Sequence, residues 1–274
     1  MAVRETLRQM LGMLVLVALL WLVVLYARVL ATGVLLPLWG LFAFVMALGL
    51  WHQARRRRRV WLHAYLRAAS PWVQRLRGGL LMMLWQGLFA LCLSAFLLVL
   101  LVRNAEPVLW GSLLLTALAL PCCSQIIALR LRPNVQPVYE RELALQFAVR
   151  GLAFLLWLYV LWRAFHEPYP DFRQADLDQA LWYMVSSQQA RSDALRGLLE
   201  LSAAADGLSL WLAQHLLPTP TDSVWQTLGW ALLLAREALF VWSYLLLCRG
   251  MLMLLNPGTP SPVSTDEDAV NAQR

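Results

Sequence analysis

Lysine is absent from this chain. All 23 basic residues are arginine, they face 16 acids, and charged residues make up 14% of the 274. A soluble domain carries about 25%, so a globule surrounded by water is excluded. Uniform arginine points to a GC-rich, bacterial source. Histidine is scarce: His52, His63, His166 and His215 all fall outside the apolar runs, which excludes a bis-histidine haem within a membrane. The four cysteines, Cys92, Cys122, Cys123 and Cys248, lie inside those runs, not in the oxidising aqueous setting that a disulfide framework needs. Cys122 and Cys123 diverge by about 100° on a helix and read as small apolar fillers. There is no His-Glu-x-x-His, no Gly-x-Ser-x-Gly, no phosphate loop and no dinucleotide fingerprint. No catalytic residue, metal ligand or cofactor is expected on these grounds.

Apolar residues are what the chain does have: 60% are hydrophobic and the mean hydropathy is +0.59. Runs of eighteen or more recur, which is the length a bilayer demands of a helix. They are too long and too unalternating for barrel strands. The expected fold is therefore all-α: a polytopic membrane protein with about six transmembrane helices. The spans fall at Met10–Ala27, Val34–Trp51, Leu80–Val102, Val108–Leu129, Leu143–Trp162 and within Trp225–Leu255. Arg4 and Arg8 precede the first run as in a signal peptide, but no small-residue cleavage site follows, so it reads as an uncleaved helix.

The arginines fix the direction of crossing. Residues 52–79 hold eight arginines and no acid, whereas 163–224 hold four arginines and eight acids. The first stretch is expected in the cytoplasm and the second outside, which leaves both termini cytoplasmic in a bacterial inner membrane. The chain then divides into a hairpin of two spans at 1–51, a basic cytoplasmic loop at 52–79 and three spans at 80–162. An extracytoplasmic segment follows at 163–224, then the sixth span at 225–255 and a disordered tail at 256–274, rich in Pro, Ser, Thr and acids.

Between the spans, residues 55–77 read as an amphipathic helix on the inner leaflet, with Trp61, Tyr65, Trp72 and Leu76 at helical spacing. Its block Arg55, Arg56, Arg57, Arg58 and Arg59 is a topogenic signal, and a candidate patch for anionic headgroups or a partner. Nothing beside it reads bases or phosphates, so nucleic acid is not expected. From Asp176 to about Leu217 the pattern is helical, with a stripe of Leu177, Leu181, Met184, Leu195, Leu198, Ala205, Leu212 and Leu216 that needs cover. Gly207 is the natural break point, and Pro218 and Pro220 end the segment. The stripe can be covered by the outer ends of the spans, by the segment's own second half or by another protein.

Charge within a span is costly and tends to find a partner. Arg236 and Glu237 interrupt the sixth run. Gly229, Arg236, Ser243 and Gly250 are spaced by seven and share one face, suited to close packing on another helix. Glu237 points elsewhere, and Arg150 in the fifth span is its expected partner, unless Arg150 snorkels to the cytoplasmic side. If the embedded part is Leu228–Leu247, Arg236 and Glu237 lie near mid-bilayer; if it is Ala238–Leu255, they lie at the outer interface and Arg249 is the buried charge. Pro121, followed by Ser124 and Gln125, is a candidate kink.

These features favour a non-catalytic multi-pass inner-membrane subunit or scaffold of an envelope complex. Its expected partners are anionic headgroups at the inner leaflet and other inner-membrane or periplasmic proteins. The alternative is a small transporter or channel with a polar site around Arg236 and Glu237. Against it, the spans hold almost none of the carboxylates and amides that ion-coupled carriers use.

Overall fold

An apolar run in lipid must satisfy its backbone from within, and here each run does so as a helix. The computed structural model describes residues 2–65, 80–104, 106–135, 137–166, 170–216 and 223–255. Among them are eight helices: α1 (Ala2–Tyr26), α2 (Thr32–Tyr65), α3 (Leu80–Arg103), α4 (Pro107–Leu131), α5 (Pro137–His166), α6 (Leu177–Ser186), α7 (Asp193–Leu216) and α8 (Ser223–Leu255). Six of them, α1 to α5 and α8, are long and apolar enough to cross a membrane. The chain is thus an all-helical protein of multi-pass membrane type. All four cysteines are free.

Helix α2 does not stop at Trp51. It continues through Arg55–Arg59 to Tyr65, so the basic block extends the second span and does not open a new helix at 55. The segment contains no Gly or Pro, and arginine is a good helix former. Arg55 lies one turn beyond Trp51, its guanidinium carbon 5.3 Å from the ring centre. The amphipathic pattern expected beyond Tyr65, the side chains of Arg56 to Arg59, the Pro218–Pro220 break and the tail 256–274 all lie outside the described residues.

The last long helix occupies the middle. Helix α8 packs against α1, α2, α3 and α5, while α4 lies between α1 and α5 at the periphery. Central placement explains why α8 carries Phe240, Val241, Tyr244, Leu245, Leu247 and Cys248 almost free of solvent. Close approach is set by glycine. Gly49 on α2 faces Gly250 on α8, whose Cα lies 3.2 Å from where a Gly49 Cβ would stand, and a Cβ on Gly250 would collide with the Val45 carbonyl. This is the small-residue packing expected of Gly250's face. Ser243 on the same face is fully buried and donates to Leu239 O at 2.7 Å. Tyr244 Oη donates to Leu113 O on α4 at 2.7 Å.

Helices α6 and α7 form a hairpin that caps one end of the bundle. The break between them falls at 187–192, not at Gly207. Gly207 lies inside α7, where α6 crosses so closely that a Cβ there would sit 3.3 Å from Ala180 O. Ser192 opens α7: its Oγ accepts from Leu195 N at 3.4 Å and lies 3.0 Å from Thr32 Oγ1 at the start of α2. Arg191 N donates to Arg28 O at 2.9 Å, fastening the hairpin to the connection between α1 and α2. At its other end, Gln214 clamps the entering chain through Phe172 N and Pro170 O.

The covered face of α7 differs from the expected stripe. Leu195 is buried as expected, but Leu199, Ala203 and Leu210 are buried with it, whereas Leu198 is 41% exposed and Ala205 is exposed. Leucine lies on both sides of this helix, so periodicity alone did not choose between them. The first two covers foreseen for the segment both operate: Leu195 and Leu199 join the bundle core, while Ala180, Phe172 and Leu210 form a second small core within the cap.

Candidate functional site: two charge clusters on the central helix

The cap-side cluster begins with Asp206. Its position in the repeat Leu199, Ala203, Asp206, Leu210 puts a carboxylate on the covered face of α7, and its side chain is 8% exposed. Arg103, ending α3, and Arg236 on α8 both reach it. Arg236 Nη1 lies 2.7 Å from Asp206 Oδ1, and Arg103 Nη1 pairs with Oδ2. Arg103 Nη1 also donates to Ser202 Oγ at 2.8 Å, one turn earlier on α7. Glu237 completes the group with an oxygen 3.9 Å from Arg236 Nε. Two guanidinium groups and two carboxylates leave it electrically balanced, as burial requires. It ties α3, α7 and α8 together.

The second cluster lies 13 residues further along α8, or about 20 Å. Arg249 is 4% exposed, and its Nη2 donates to Glu142 Oε1 on α5 at 2.6 Å. Its Nη1 donates to Gln53 Oε1 on α2 at 2.9 Å. Gln146 Nε2, one turn along α5, reaches the same Glu142 oxygen at 3.3 Å. Nearby, Arg8 Nη2 donates to Leu255 O, and Arg141 lies 3.6 Å from Glu5. Three helices, α2, α5 and α8, thus meet on one neutral pair.

Of the described part of α8, Leu234–Leu255 is long and apolar enough to cross a membrane; Arg236 and Glu237 stand on its cap side, and Arg249 is buried 13 residues further on. Glu237 does not find Arg150. Glu237 lies 3.9 Å from the adjacent Arg236, and Arg150 is exposed on α5, about two turns from Glu142. Arg150 sits 13 residues, about 20 Å, before Arg163, which marks the cap end of α5 through Glu106 at 3.6 Å. The expected partnership fails for want of reach.

Pro121 is buried, and α4 continues through it. Ser124 Oγ turns back to Pro121 O at 2.9 Å, as Ser112 and Thr116 turn back to Leu109 O and Ser112 O. The hydroxyls thus serve their own helix. Asp206, Arg103 and Gln53 were the residues that sequence reasoning passed over. Only Asp206 carried a legible signal, an acid in phase with Leu195, Leu199 and Leu210. Among the described residues no three His, Cys, Asp or Glu gather as metal ligands. Comparison with protein families, with curated proteins and with solved structures finds no match.

Proposed function

We propose that this protein is a non-catalytic multi-pass subunit or scaffold of an envelope complex in a bacterial inner membrane. One observation carries the reading: the charges of the central helix are closed on neighbouring helices, Arg236 on Asp206 and Arg249 on Glu142. Such groups hold a framework together. A carrier keeps its polar groups open to alternating access.

The cap gives the reading a place for partners. Trp182 is 74% exposed, Tyr183 60% and Leu201 69%, and Leu208 adds to the apolar surface. Aromatic and leucine side chains gathered on a membrane-proximal helix pair suit a protein neighbour. At the opposite end Arg4, Arg8, Arg130, Arg132 and Arg141 are exposed. That end faces the cytoplasm in this proposal, where anionic headgroups neutralise it.

Extraction in a mild detergent, followed by mass spectrometry of the recovered particle, tests the reading. Other envelope proteins are expected in stoichiometric amount. Recovery of the chain alone, as a monomer or homo-oligomer, overturns it. Arg236→Gln separates the scaffold from the transporter: membrane abundance is expected to fall, whereas a transport site loses activity at normal abundance.

A further inference from the structure

Arg150 stands in a place that a cation does not occupy without a reason. The candidate span of α5 opens on Tyr139, Glu140, Arg141 and Glu142 and runs to Arg163, so Arg150 lies about 12 Å beyond the last acid and about 20 Å before Arg163 at 1.5 Å per residue. Neither end is within reach of one side chain. Yet Arg150 is exposed, and so are its neighbours on the same side of the helix. Phe147 is 51% exposed and Phe154 58%, and Gly151 is open, with nothing within 4 Å of where its Cβ would be. Phe147, Arg150, Gly151 and Phe154 fall within an arc of about 100°. A bare guanidinium on a face otherwise made for lipid is strongly disfavoured. An apolar face with one open glycine admits another helix at close range.

We propose that this face of α5 seats a transmembrane helix of a different protein, which presents an ionised Asp or Glu within its span to the Arg150 guanidinium. The inference rests on the subunit reading and names the chemistry of one partner. Charge complementarity selects the occupant. Two copies of the chain joined symmetrically through this face would bring Arg150 against Arg150. The chain's own acids do not serve either: Glu5, Glu140 and Glu142 precede the apolar stretches of α1 and α5, and Glu237 lies on the cap side of α8 beside Arg236. Acyl chains suit Phe147 and Phe154 but offer the guanidinium no counter-charge at that depth.

The test places the full-length chain, donor-labelled, in phosphatidylcholine vesicles with an acceptor-labelled peptide. The probe is a leucine–alanine helix of spanning length with one central Asp. Energy transfer to it is expected at about tenfold higher apparent affinity than to the same helix with Leu in place of Asp. Arg150→Leu is expected to abolish the difference and Arg150→Lys to keep most of it. Folding of each variant is checked by thermal aggregation in detergent, which an exposed position should leave unchanged. Equal transfer to the Asp and Leu helices overturns the proposal and assigns the face to lipid. Transfer between two labelled copies that depends on Arg150 overturns it in favour of self-association. If Arg150→Leu still extracts with its full set of stoichiometric partners, this seat is refuted while the subunit reading survives.

Discussion

Arg249 on α8 and Glu142 on α5 stand 2.6 Å apart across a helix interface, 107 residues apart in sequence. The buried cation of the central helix is thus held by a carboxylate that nothing near it in the chain announces. Removing one partner of a buried pair leaves the other charge uncompensated, at about 3–5 kcal/mol, whereas replacing both by apolar groups is often close to neutral. Glu142→Leu and Arg249→Leu are each expected to lower the unfolding midpoint and the membrane yield sharply. The double variant is expected to recover most of the loss, as read by thermal aggregation in detergent. If the double variant is as poor as the two singles combined, the pair is not a neutralising contact.

Asp206 holds two arginines. In Asp206→Asn the guanidinium groups of Arg103 and Arg236 lose the carboxylate that binds them both. The cap is expected to loosen before the bundle does. Amide exchange across 193–216 should accelerate by about tenfold or more, corresponding to at least about 1.4 kcal/mol of local opening. Exchange within α1 and α2 should change little. Uniform acceleration across all helices would show that the contact does not act on the cap.

The contact between Gly49 and Gly250 predicts a steep contrast between glycines. Gly250→Ala drives a methyl into the Val45 carbonyl, while a Cβ at Gly87 meets nothing within 4 Å. Overpacking of this kind costs about 1–3 kcal/mol. Gly250→Ala should therefore lower the midpoint clearly. Gly87→Ala should leave it unchanged or raise it slightly, since alanine is the better helix former. Equal midpoints for the two variants would contradict the close crossing.

Tyr244 is fully buried and donates to a main-chain carbonyl on α4. Interhelical hydrogen bonds in membranes are worth about 0.6 kcal/mol on average and up to about 1.7. Tyr244→Phe keeps the ring and should cost no more than that. A larger fall, comparable with Glu142→Leu, would mean that the hydroxyl supports more than this one bond.

The helices were legible because apolar runs in lipid have few alternatives, and all six long ones stand where the runs lie. Boundaries that depend on tertiary contact were not. The continuation of α2 past Trp51 needed only the absence of a breaker, but the spacing of Trp61, Tyr65, Trp72 and Leu76 had suggested a new element there. The turn at 187–192 contains no glycine or proline, while Gly207 offered itself as the break and proved to be a packing site. Pairing partners were the least legible. Arg236 stood out in sequence because it interrupts an apolar run, yet its partner Asp206 sits in a polar segment where an acid draws no notice. Gln53 and Glu142 fall just outside the expected spans, and the central position of α8 makes them ligands for Arg249.

Helix α8 is translated after the other five long helices, yet it fills the axis around which they stand. Until it is made, Glu142 on α5 and Gln53 on α2 lack the Arg249 guanidinium from which both accept. Its arrival supplies both guanidinium groups at once, Arg249 to the bundle and Arg236 to Asp206 of the α6–α7 hairpin.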